Sequence, residues 1–447
     1  MKKYDLIVIG SGSGGSITAA KCNKAGWKVA MVDNRPFGGT CALRGCDPKK
    51  VLVGAAELLD WNSRMQENGV QSEPSIVWKD LMRFKRNFTD YVPDKKEEAL
   101  TKNGIDTYHE KATFISENEL QIGEQKIRGN RILIATGAQP TPLKIQGEDY
   151  LTYSDAFLEL EELPEKIIFV GGGYISFEFS HIAARAGSDV HIVHRGKKPL
   201  ENFDADLVDL MLEKSKDIGI KVHLESSVES IRKEKDGYIV ASRKREDTYE
   251  LEGDLVVHGA GRIPSLDMDL ENGKVEYDKR GVKVNHYLQS VSNPHVYAAG
   301  DVAATDGLPL TPIASLESHV VASNLLKGNH KEINFPVMPS VVFTVPKLAS
   351  VGLSEKEAKE MNPDIKVVHK EISSWFTYKR TNESHAAIKL LIDEEKDLIV
   401  GAHLINNEAY DLISHFATAI QFKLTTKELK QMIFAYPTTA SDIGHML

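Results

Sequence analysis

Two segments of this chain repeat the same order of elements, and each begins with an apolar run that leads into a glycine-rich turn. A helical pattern and a second apolar run follow each turn, so each segment is typical of a βαβ unit of about 30 residues. The first unit comprises residues 4–9, 10–15, 17–25 and 28–33, and the second comprises residues 166–170, 171–176, 177–186 and 189–193. The pattern predicts an α/β protein with two doubly wound, Rossmann-like dinucleotide-binding domains.

The glycines of the first turn have the positions that a dinucleotide site requires. Gly10 allows the tight turn, Gly12 lets the backbone approach a pyrophosphate, and Gly15 lets the helix pack against the strand. The start of the helix offers unpaired N–H groups to phosphates. Asp33 follows about 20 residues later, where a carboxylate binds a ribose diol. We expect a dinucleotide here; the alternative is a plain glycine-rich turn with a solvated Asp33.

The second turn differs from the first in the residues that follow its second strand. Its glycines are Gly171 and Gly173, and Ser176 takes the third position, where a small side chain still allows close packing. A basic cluster ends this strand, formed by His194, Arg195, Lys197 and Lys198. Cations attract a 2′-phosphate that a carboxylate would repel, so we expect NADPH to be preferred over NADH. A solvated basic turn is the alternative, and the nearby Glu201 and Asp204 weaken the preference.

The composition excludes several classes of protein. The net charge of −9 leaves no basic excess to neutralise nucleic-acid phosphates. Three cysteines in 447 residues are too few for a disulfide-stapled secreted scaffold or a zinc module of four thiolates. The apolar run behind the basic start is interrupted at Gly10, and no run approaches about 18 apolar residues. We therefore expect a soluble, cytoplasmic protein without a nucleic-acid or membrane partner, and we assign no metal site.

Two of the three cysteines, Cys41 and Cys46, lie five positions apart, just after the first βαβ unit. On a regular helix this spacing gives a rise of about 7.5 Å, which exceeds the usual Cα separation in a disulfide. A bridge therefore requires a distorted helix, and Gly45 would permit the distortion. A strained bridge is easily reduced, which suits a catalytic dithiol. The alternative is a pair of buried cysteines that act as small apolar residues, as we expect of Cys22 in the first helix.

The run from Gly38 to Lys49, which contains both cysteines, resembles the redox-active segment of the flavoprotein disulfide reductases. This family includes glutathione reductase, dihydrolipoamide dehydrogenase and mercuric reductase. Further runs resemble other segments of the family in the same order: 135–137, 259–264, 297–301, 310–312, 342–346 and 351–355. The chain is identified by this resemblance as a member of the class I pyridine nucleotide-disulfide oxidoreductases over nearly its whole length.

The resemblance implies an electron path from NADPH to FAD, then to a Cys41–Cys46 disulfide, and then to a small-molecule acceptor. Cys46 would face the flavin as a thiolate, and Cys41 would be the interchange thiol that attacks the acceptor. Lys49 and Glu178 match the family's ion pair beside the flavin, and Tyr174 matches the side chain that covers the nicotinamide pocket. Without the family, Lys49 would be interpreted as a surface lysine and Tyr174 as a residue of ordinary helix packing.

The motifs and the resemblance together assign the residues that contact the two cofactors. FAD contacts are expected at Gly10, Gly12, Ser13, Gly14, Gly15, Asp33, Thr40, Lys49, Ala112, Thr136, Gly137, Asp301 and Thr311. NADPH contacts are expected at Gly171, Gly173, Tyr174, Ile175, Glu178, His194, Arg195, Lys197, Lys198 and Gly261.

The resemblance also implies three domains in a homodimer. An FAD-binding domain comprises residues 1–148 and 271–332, and an NAD(P)H-binding domain comprises residues 149–270. An α+β interface domain comprises residues 333–447 and begins where several prolines introduce a mixed pattern of strands and helices. Residues 51–100 are predicted to be helical, with a break at Pro93.

The C-terminal segment departs from the family in the two residues that protonate the leaving thiolate of a disulfide substrate. Tyr436 stands at the position of the family's His, and Ser441 stands at that of its Glu. A phenol with a pKa near 10 is a poor acid at neutral pH, and general acid catalysis typically contributes about 10²–10⁴-fold. Ordinary disulfide reduction should therefore be impaired, whereas reduction of the cysteine pair by the flavin should be unaffected.

Three functions remain open, in decreasing order of expectation. The first is reduction of a low-molecular-weight disulfide, as in glutathione reductase, with Tyr436, Asp442 or His445 supplying the proton in a rearranged geometry. The second is reduction of another acceptor: an activated sulfur species, a hypohalous-type oxidant, a quinone or a metal ion. The third is an FAD-bearing redox sensor without turnover, which the intact dithiol disfavours. Mercuric reductase activity is disfavoured, because that enzyme's additional cysteines have no counterpart in this sequence.

Overall fold

A computed structural model describes all 447 residues of the chain. Its helices are α1 (Ser13–Lys24), α2 (Gly39–Arg44), α3 (Cys46–Met65), α4 (Trp78–Thr89), α5 (Val92–Lys102), α6 (Ser154–Phe157), α7 (Tyr174–Arg185), α8 (Ala205–Asp217), α9 (Thr311–Lys327), α10 (Glu355–Met361), α11 (Phe376–Lys379), α12 (Ala409–Phe422), α13 (Thr426–Gln431) and α14 (Ile443–Met446), with 3₁₀ turns at Glu148–Tyr150 and Thr439–Asp442.

The strands are β1 (Lys2–Ile9), β2 (Val29–Val32), β3 (Asp106–Tyr108), β4 (Ala112–Ser116), β5 (Glu119–Ile122), β6 (Gln125–Ile134), β7 (Ala138–Pro140), β8 (Lys166–Val170), β9 (Asp189–Val193), β10 (Lys221–His223), β11 (Ser226–Glu234), β12 (Gly237–Lys244), β13 (Asp247–Gly253), β14 (Leu255–His258), β15 (Arg262–Pro264), β16 (Tyr277–Asp278), β17 (Gly281–Lys283), β18 (Val296–Ala298), β19 (Ala303–Ala304), β20 (Ser340–Val342), β21 (Lys347–Gly352), β22 (Lys366–Glu371), β23 (Ala387–Asp393) and β24 (Leu398–Asn406).

The chain divides into two units by the density of its internal contacts. The first unit comprises Met1–Lys49, Phe84–Thr141 and Gly261–Phe335, and the second comprises Lys50–Arg83, Pro142–Ala260 and Pro336–Leu447. This division reflects the density of contacts and not the binding of ligands or of a second subunit. The FAD-binding, NAD(P)H-binding and interface domains therefore stay predictions.

The first unit is built on a sheet in which β3, β2, β1, β6 and β18 run parallel. Strands β5 and β4 extend this sheet by antiparallel pairing. The register pairs Ile9 with Val32 and with Ile134, so β1, β2 and β6 end at the same edge. The first glycine turn and Asp33 follow directly from that edge, which is where ligands bind in open parallel sheets.

The second unit contains a four-stranded parallel sheet in the order β10-β9-β8-β14. Val170 pairs with Val193 and with His258, so the second glycine turn and the basic cluster also follow strands that end at one edge. Both predicted βαβ units are present. The α/β class with two doubly wound domains is therefore confirmed.

The C-terminal part of the second unit has a different architecture. Strands β20-β21-β24-β23-β22 form a sheet in which all pairs are antiparallel, and α12 contributes Leu412, Ile413 and Phe416 to the same apolar core. The predicted α+β arrangement of this region is confirmed. No helix of the chain combines the length and the apolar character needed to cross a lipid bilayer.

The helical stretch expected over residues 51–100 is interrupted twice, at residues 66–77, where no break was predicted, and at residues 90–91, just before Pro93. Helix α3 ends at Met65, and residues 66–77 are not helical. Pro93 lies in the first turn of α5, where a proline costs no hydrogen bond because the first N–H groups of a helix have no intrahelical partner. The predicted break at Pro93 is therefore confirmed, because α4 ends at Thr89 and Pro93 lies at the start of the next helix.

Gly10 and Gly171 begin the two glycine turns with the same backbone conformation. Each has a φ of +107°, a region that residues with a Cβ rarely adopt. A Cβ on Gly10 would also overlap the carbonyl oxygen of Ala135, and a Cβ on Gly171 would overlap the backbone of Ala260. Both turns therefore require glycine for two independent reasons.

We expect Gly10→Ala to lower the free energy of unfolding by about 3 kcal/mol or more, because strain at positive φ adds to the steric overlap. Gly26→Ala is the matched control: Gly26 also has a positive φ, +89°, but a Cβ there meets no atom within 4 Å. Its cost should be about 1–2 kcal/mol. Unfolding measurements on both variants check this expectation, and equal losses would show that the overlap with Ala135 contributes nothing.

Candidate active site

Asp33 lies beside the first glycine turn and is held there by Ser11. The N–H and the hydroxyl of Ser11 both donate to Asp33 Oδ2, at 2.8 and 2.6 Å, and Asp33 Oδ1 accepts from the Arg35 N–H at 3.0 Å. Gly12 is the N-cap of α1, supplies no side-chain acceptor, and is followed by a first turn without an acidic residue. A diphosphate fits this position, because unpaired N–H groups at a helix start attract anions.

The other residues assigned to FAD also belong to the first unit. They occupy the start of α1 (Ser13, Gly14, Gly15), α2 (Thr40), α3 (Lys49), the first residue of β4 (Ala112), the turn after β6 (Thr136, Gly137), the turn after β18 (Asp301) and the first residue of α9 (Thr311). The side chain of Ala112 is buried in an apolar core, so this residue offers only its backbone to a ligand.

Glu317 lies beside the Asp301 segment and was not predicted as a site residue. Its buried carboxyl group accepts from the Gly300 N–H at 2.6 Å and from the Thr305 hydroxyl at 2.8 Å. Burial raises the pKa of Glu317 to about 7, and burial also raises the pKa of Asp301. The available signal was that Glu317 is the one acidic residue of the otherwise largely apolar α9.

The helical segment that carries the cysteines is broken between them. Helix α2 contains Cys41 and ends at Arg44, and α3 begins at Cys46. Gly45 separates them with a φ of −149° and a ψ of −111°, so the distortion that the cysteine spacing requires is present. Both cysteines are free thiols, and a hydrogen bond joins their sulfurs.

The sulfur of Cys46 lies at the starts of two helices. Cys46 is the first residue of α3, and its Sγ is 3.7 Å from Oγ1 of Thr311, the first residue of α9. A hydrogen bond from the Cys41 thiol lowers the pKa of Cys46 to about 6, although partial burial opposes the shift. The Thr311 hydroxyl and the charge of Lys49 lower this pKa further, as helix starts and cations do for other thiolates. Cys46 is therefore the sulfur that ionises at neutral pH.

Cys41 has the opposite environment. Its thiol donates to Oδ1 of Asp47, with 4.0 Å between the sulfur and the oxygen. The hydrogen bond with Cys46 raises the pKa of Cys41, and burial and the charge of Asp47 raise it further. The reduced pair therefore holds its negative charge on Cys46 and its proton on Cys41. No role was predicted for Asp47 from the sequence, although it is an acidic residue that directly follows Cys46.

The second glycine turn leads into α7 in the way that the first leads into α1. Gly173 is the N-cap of α7, supplies no side-chain acceptor, and is followed by a first turn without an acidic residue. Tyr174 begins the helix and is half exposed, and Ile175 is partly buried. Glu178 is buried one turn further on, and its Oε1 accepts from the Phe343 N–H at 2.8 Å. A second diphosphate fits this turn for the same reason as the first.

Two members of the basic cluster have partners within the protein. Nδ1 of His194 accepts from the Gly172 N–H at 3.1 Å, and Nε2 lies 2.9 Å from the Lys198 carbonyl oxygen, so both ring nitrogens are engaged. The ammonium group of Lys198 pairs with Asp209 at 2.6 Å. These contacts fix the shape of the turn and leave less of its charge available to a ligand.

Arg195 and Lys197 are exposed and make no ion pair or side-chain hydrogen bond. Asp204, which weakened the NADPH preference in the sequence, caps α8 and pairs with Lys389 at 2.8 Å. Arg195 and Lys197 are therefore the cations available to a 2′-phosphate. Gly261, the remaining residue assigned to NADPH, belongs to the first unit.

The C-terminal segment presents a phenol where the family has an imidazole. Tyr436 is 82% exposed. The Ser441 hydroxyl accepts from the Thr438 N–H at 3.2 Å, which completes the cap of the 3₁₀ turn Thr439–Asp442, and it donates to the Thr438 carbonyl oxygen at 2.6 Å. His445 is exposed, and one carboxylate oxygen of Asp442 is buried without a hydrogen-bond partner.

We expect Thr311→Val to raise the pKa of Cys46 by about one unit, because the thiolate loses a hydrogen-bond donor. The ultraviolet absorbance of the thiolate and the pH dependence of Cys46 alkylation measure this shift in the reduced protein. Ser323→Ala, farther along α9, is the matched control and should leave the Cys46 titration unchanged. An unshifted titration in Thr311→Val would contradict the role given to the hydroxyl.

Comparison with known proteins identifies two family domains in the chain. Residues 4–323 match the pyridine nucleotide-disulphide oxidoreductase family, and residues 338–447 match the dimerisation domain of the same family. A mercuric reductase of Staphylococcus aureus is 31% identical, over 98% of this chain and 81% of the relative. An uncharacterized 19.7 kDa protein in a mercuric resistance operon of Staphylococcus aureus is 73% identical over 180 residues, which are 40% of this chain and all of the relative.

The solved structures include a close match in fold. The Cu(II) complex of the HOCl-induced flavoprotein disulfide reductase RclA from Escherichia coli superimposes with a TM-score of 0.88 at 27% identity, covering 100% of this chain and 99% of that one. Proteins of the matched family use FAD and NAD(P)H, and the two glycine turns fit these cofactors. The chain therefore belongs to the pyridine nucleotide-disulphide oxidoreductase family and is a flavoprotein oxidoreductase with that family's dimerisation domain.

Proposed function

We propose that the protein transfers electrons from NADPH through FAD to the Cys41–Cys46 pair, and from Cys41 to a small electrophilic acceptor other than an ordinary dialkyl disulfide. The observation that carries this proposal is the environment of the pair: the Cys46 sulfur lies at the start of α3 and 3.7 Å from the Thr311 hydroxyl, whereas a carboxylate lies beside the Cys41 sulfur, which favours a thiolate at Cys46 and a proton at Cys41. This is the charge distribution of a dithiol in which one sulfur faces the flavin and the other attacks an external substrate. It also argues against a sensor without turnover, which needs no such asymmetry.

FAD, when bound, supplies the transfer of two electrons from NADPH to the disulfide. The chain's own residues bind and orient the participants around that step. In our proposal Lys49 stabilises the thiolate of Cys46, in line with the effect of its charge on the Cys46 pKa. Glu178 belongs to the nucleotide site that the resemblance implies, and Tyr174, half exposed at the start of α7, covers the nicotinamide site.

The C-terminal segment favours an acceptor whose leaving group needs no proton. An alkyl thiolate that leaves a disulfide is a strong base, with a parent thiol pKa of about 8.5, and its departure benefits from a general acid. Tyr436 is a weak acid, and the hydroxyl of Ser441 is engaged in a cap. The relatives support an acceptor of this kind. One solved structure is of an HOCl-induced reductase, and two sequence relatives are a mercuric reductase and a protein of a mercuric resistance operon. We infer that the acceptor is a hypohalous-type oxidant, an activated sulfur species or a metal ion; a quinone, which takes up two protons on reduction, fits this argument less well.

Reduction of a low-molecular-weight disulfide is the second candidate. Overall similarity to glutathione reductases, at 29% identity for the enzyme of a Nostoc species, supports it. The dimerisation domain supports a homodimer, in which Tyr436 would approach the partner subunit's Cys41. If a disulfide is the acceptor, its leaving thiolate must receive a proton from Tyr436, Asp442 or His445.

The experiment that separates the two candidates is stopped-flow reoxidation of the NADPH-reduced protein against a panel of acceptors. The panel contains glutathione disulfide, a quinone, hypochlorous acid, a persulfide and a soft divalent metal ion. We expect non-disulfide acceptors to reoxidise the protein at least about 10²-fold faster than glutathione disulfide, the lower limit of a general acid's contribution. Rapid reoxidation by glutathione disulfide alone would overturn the proposal.

The same panel of acceptors can be applied to the Tyr436→His variant. If the missing imidazole is what limits disulfide reduction, the variant should gain rate with glutathione disulfide and keep its rates with the other acceptors. Tyr436→Phe is the matched control, because it removes the hydroxyl and adds no acid. A gain in both variants would assign the effect to altered shape rather than to proton transfer.

The basic cluster generates a second prediction about the nucleotide. Replacing Arg195 and Lys197 with Ala should raise the KM for NADPH by about tenfold or more and change the KM for NADH little, because two exposed cations that face a 2′-phosphate are lost. Lys198→Ala is the control, since Asp209 already pairs with that ammonium group at 2.6 Å. Equal changes in both KM values would count against a preference for NADPH.

A further inference from the structure

We propose that Asp47 is the proton acceptor for Cys41: it takes the thiol proton when Cys41 attacks the acceptor and returns it to the reduced product. This inference rests on the proposed function only in that Cys41 is the interchange thiol. It assigns to a residue of the same chain the proton transfer that the family's C-terminal His and Glu perform, and it deepens the proposed function by naming a catalytic group that touches the reacting sulfur.

Of the two sulfurs, that of Cys41 lies within hydrogen-bonding distance of Asp47, although the charge of Asp47 also raises the pKa of Cys46. Its Oδ1 accepts from the thiol of Cys41 at 4.0 Å. The break at Gly45 creates this contact, because it ends α2 and starts α3 at Cys46, so that the next residue reaches back towards Cys41. Asp47 is itself exposed, and can therefore exchange its proton with solvent or with a bound product.

The groups around the pair divide the charge between the two sulfurs. Lys49 of α3 and the hydroxyl of Thr311 at the start of α9 favour the thiolate of Cys46, whereas the charge of Asp47 opposes it. At Cys41 the charges of Cys46 and Asp47 both oppose ionisation, and the Thr311 hydroxyl favours it. The single thiol proton of Cys41 therefore lies between two acceptors, the Cys46 sulfur and the Asp47 carboxylate, and the carboxylate can take it when Cys41 attacks.

The reaction of an acceptor X–Y balances with this residue as the proton carrier. Cys41 gives its proton to Asp47, its sulfur bonds to X, and Y leaves with the electron pair of the X–Y bond. The thiolate of Cys46 then attacks the Cys41 sulfur, the disulfide forms, and X leaves with an electron pair and takes the proton from Asp47. The dithiol loses two electrons and the acceptor gains two. The products are the disulfide, X–H and Y as an anion.

Asp47→Asn separates this role from a structural one, because it keeps the shape and removes the charge. In the Cys46→Ser holoprotein, where Cys41 is isolated, Asp47→Asn should lower the pH of half-maximal Cys41 alkylation by about one unit, since a nearby negative charge is lost. In the protein with both cysteines, the same substitution should lower turnover with the best acceptor of the panel by about 10²-fold. A more reactive thiol combined with a slower enzyme is the signature of a lost proton acceptor.

Two further variants complete the test. Asp47→Glu should restore part of the turnover. Asp94→Asn is the matched control, because Asp94 also lies in the first turn of a helix, α5, and it should change neither measurement. The proposal is overturned if Asp47→Asn leaves turnover unchanged, or if turnover rises together with alkylation, which would mean that Asp47 only restrains Cys41. The alkylation uses protein reduced by dithiothreitol, so it reports on Asp47 even if NADPH does not reduce the pair and the proposed function fails.

Discussion

The arrangement of the two thiols depends on the break in the helix at Gly45. A continuous helix would separate residues 41 and 46 by a rise of about 7.5 Å, and neither sulfur would reach the other. Because α2 ends at Arg44 and α3 begins at Cys46, the sulfurs form a hydrogen bond, and the second sulfur also lies at the positive end of a helix of 20 residues. One backbone feature thus sets both the contact between the sulfurs and the choice of which one ionises.

The two glycine turns show how one backbone is adapted to two nucleotides. Gly10 and Gly171 have the same φ, and each turn leads into a helix whose start lacks a side-chain cap. The difference lies in the residues after the second strand. Asp33 is held beside the first turn by Ser11, whereas Arg195 and the neighbouring lysine are exposed and unpaired beside the second. In our proposal, the scaffold provides diphosphate binding in both cases, and the strand ends provide selectivity.

Local spacing explains which features could be predicted from the sequence. The βαβ units and the distortion at Gly45 follow from periodicity and from covalent geometry, so they were accessible. The partners of His194 and Lys198 were not, because they depend on how the turn folds back and on Asp209 of a later helix. Glu317 was missed for the same reason, since its hydrogen bonds join the start of α9 to a turn that precedes it. Residue identity suggested charge, and only tertiary structure showed which charges are already engaged.

The position of the proton limits the chemistry that this dithiol can perform. With the charge on Cys46 and the proton shared between Cys41 and Asp47, the pair carries a single proton for two departing groups. An acceptor that releases an alkyl thiolate needs a second proton, because the thiolate is basic. Each unit in the pKa of the leaving group corresponds to about 1.4 kcal/mol. An acceptor that releases a weakly basic anion, such as a halide, needs none. The same environment that makes Cys46 an effective electron donor therefore favours acceptors whose leaving group departs unprotonated, and the phenol at Tyr436 is compatible with such a reaction.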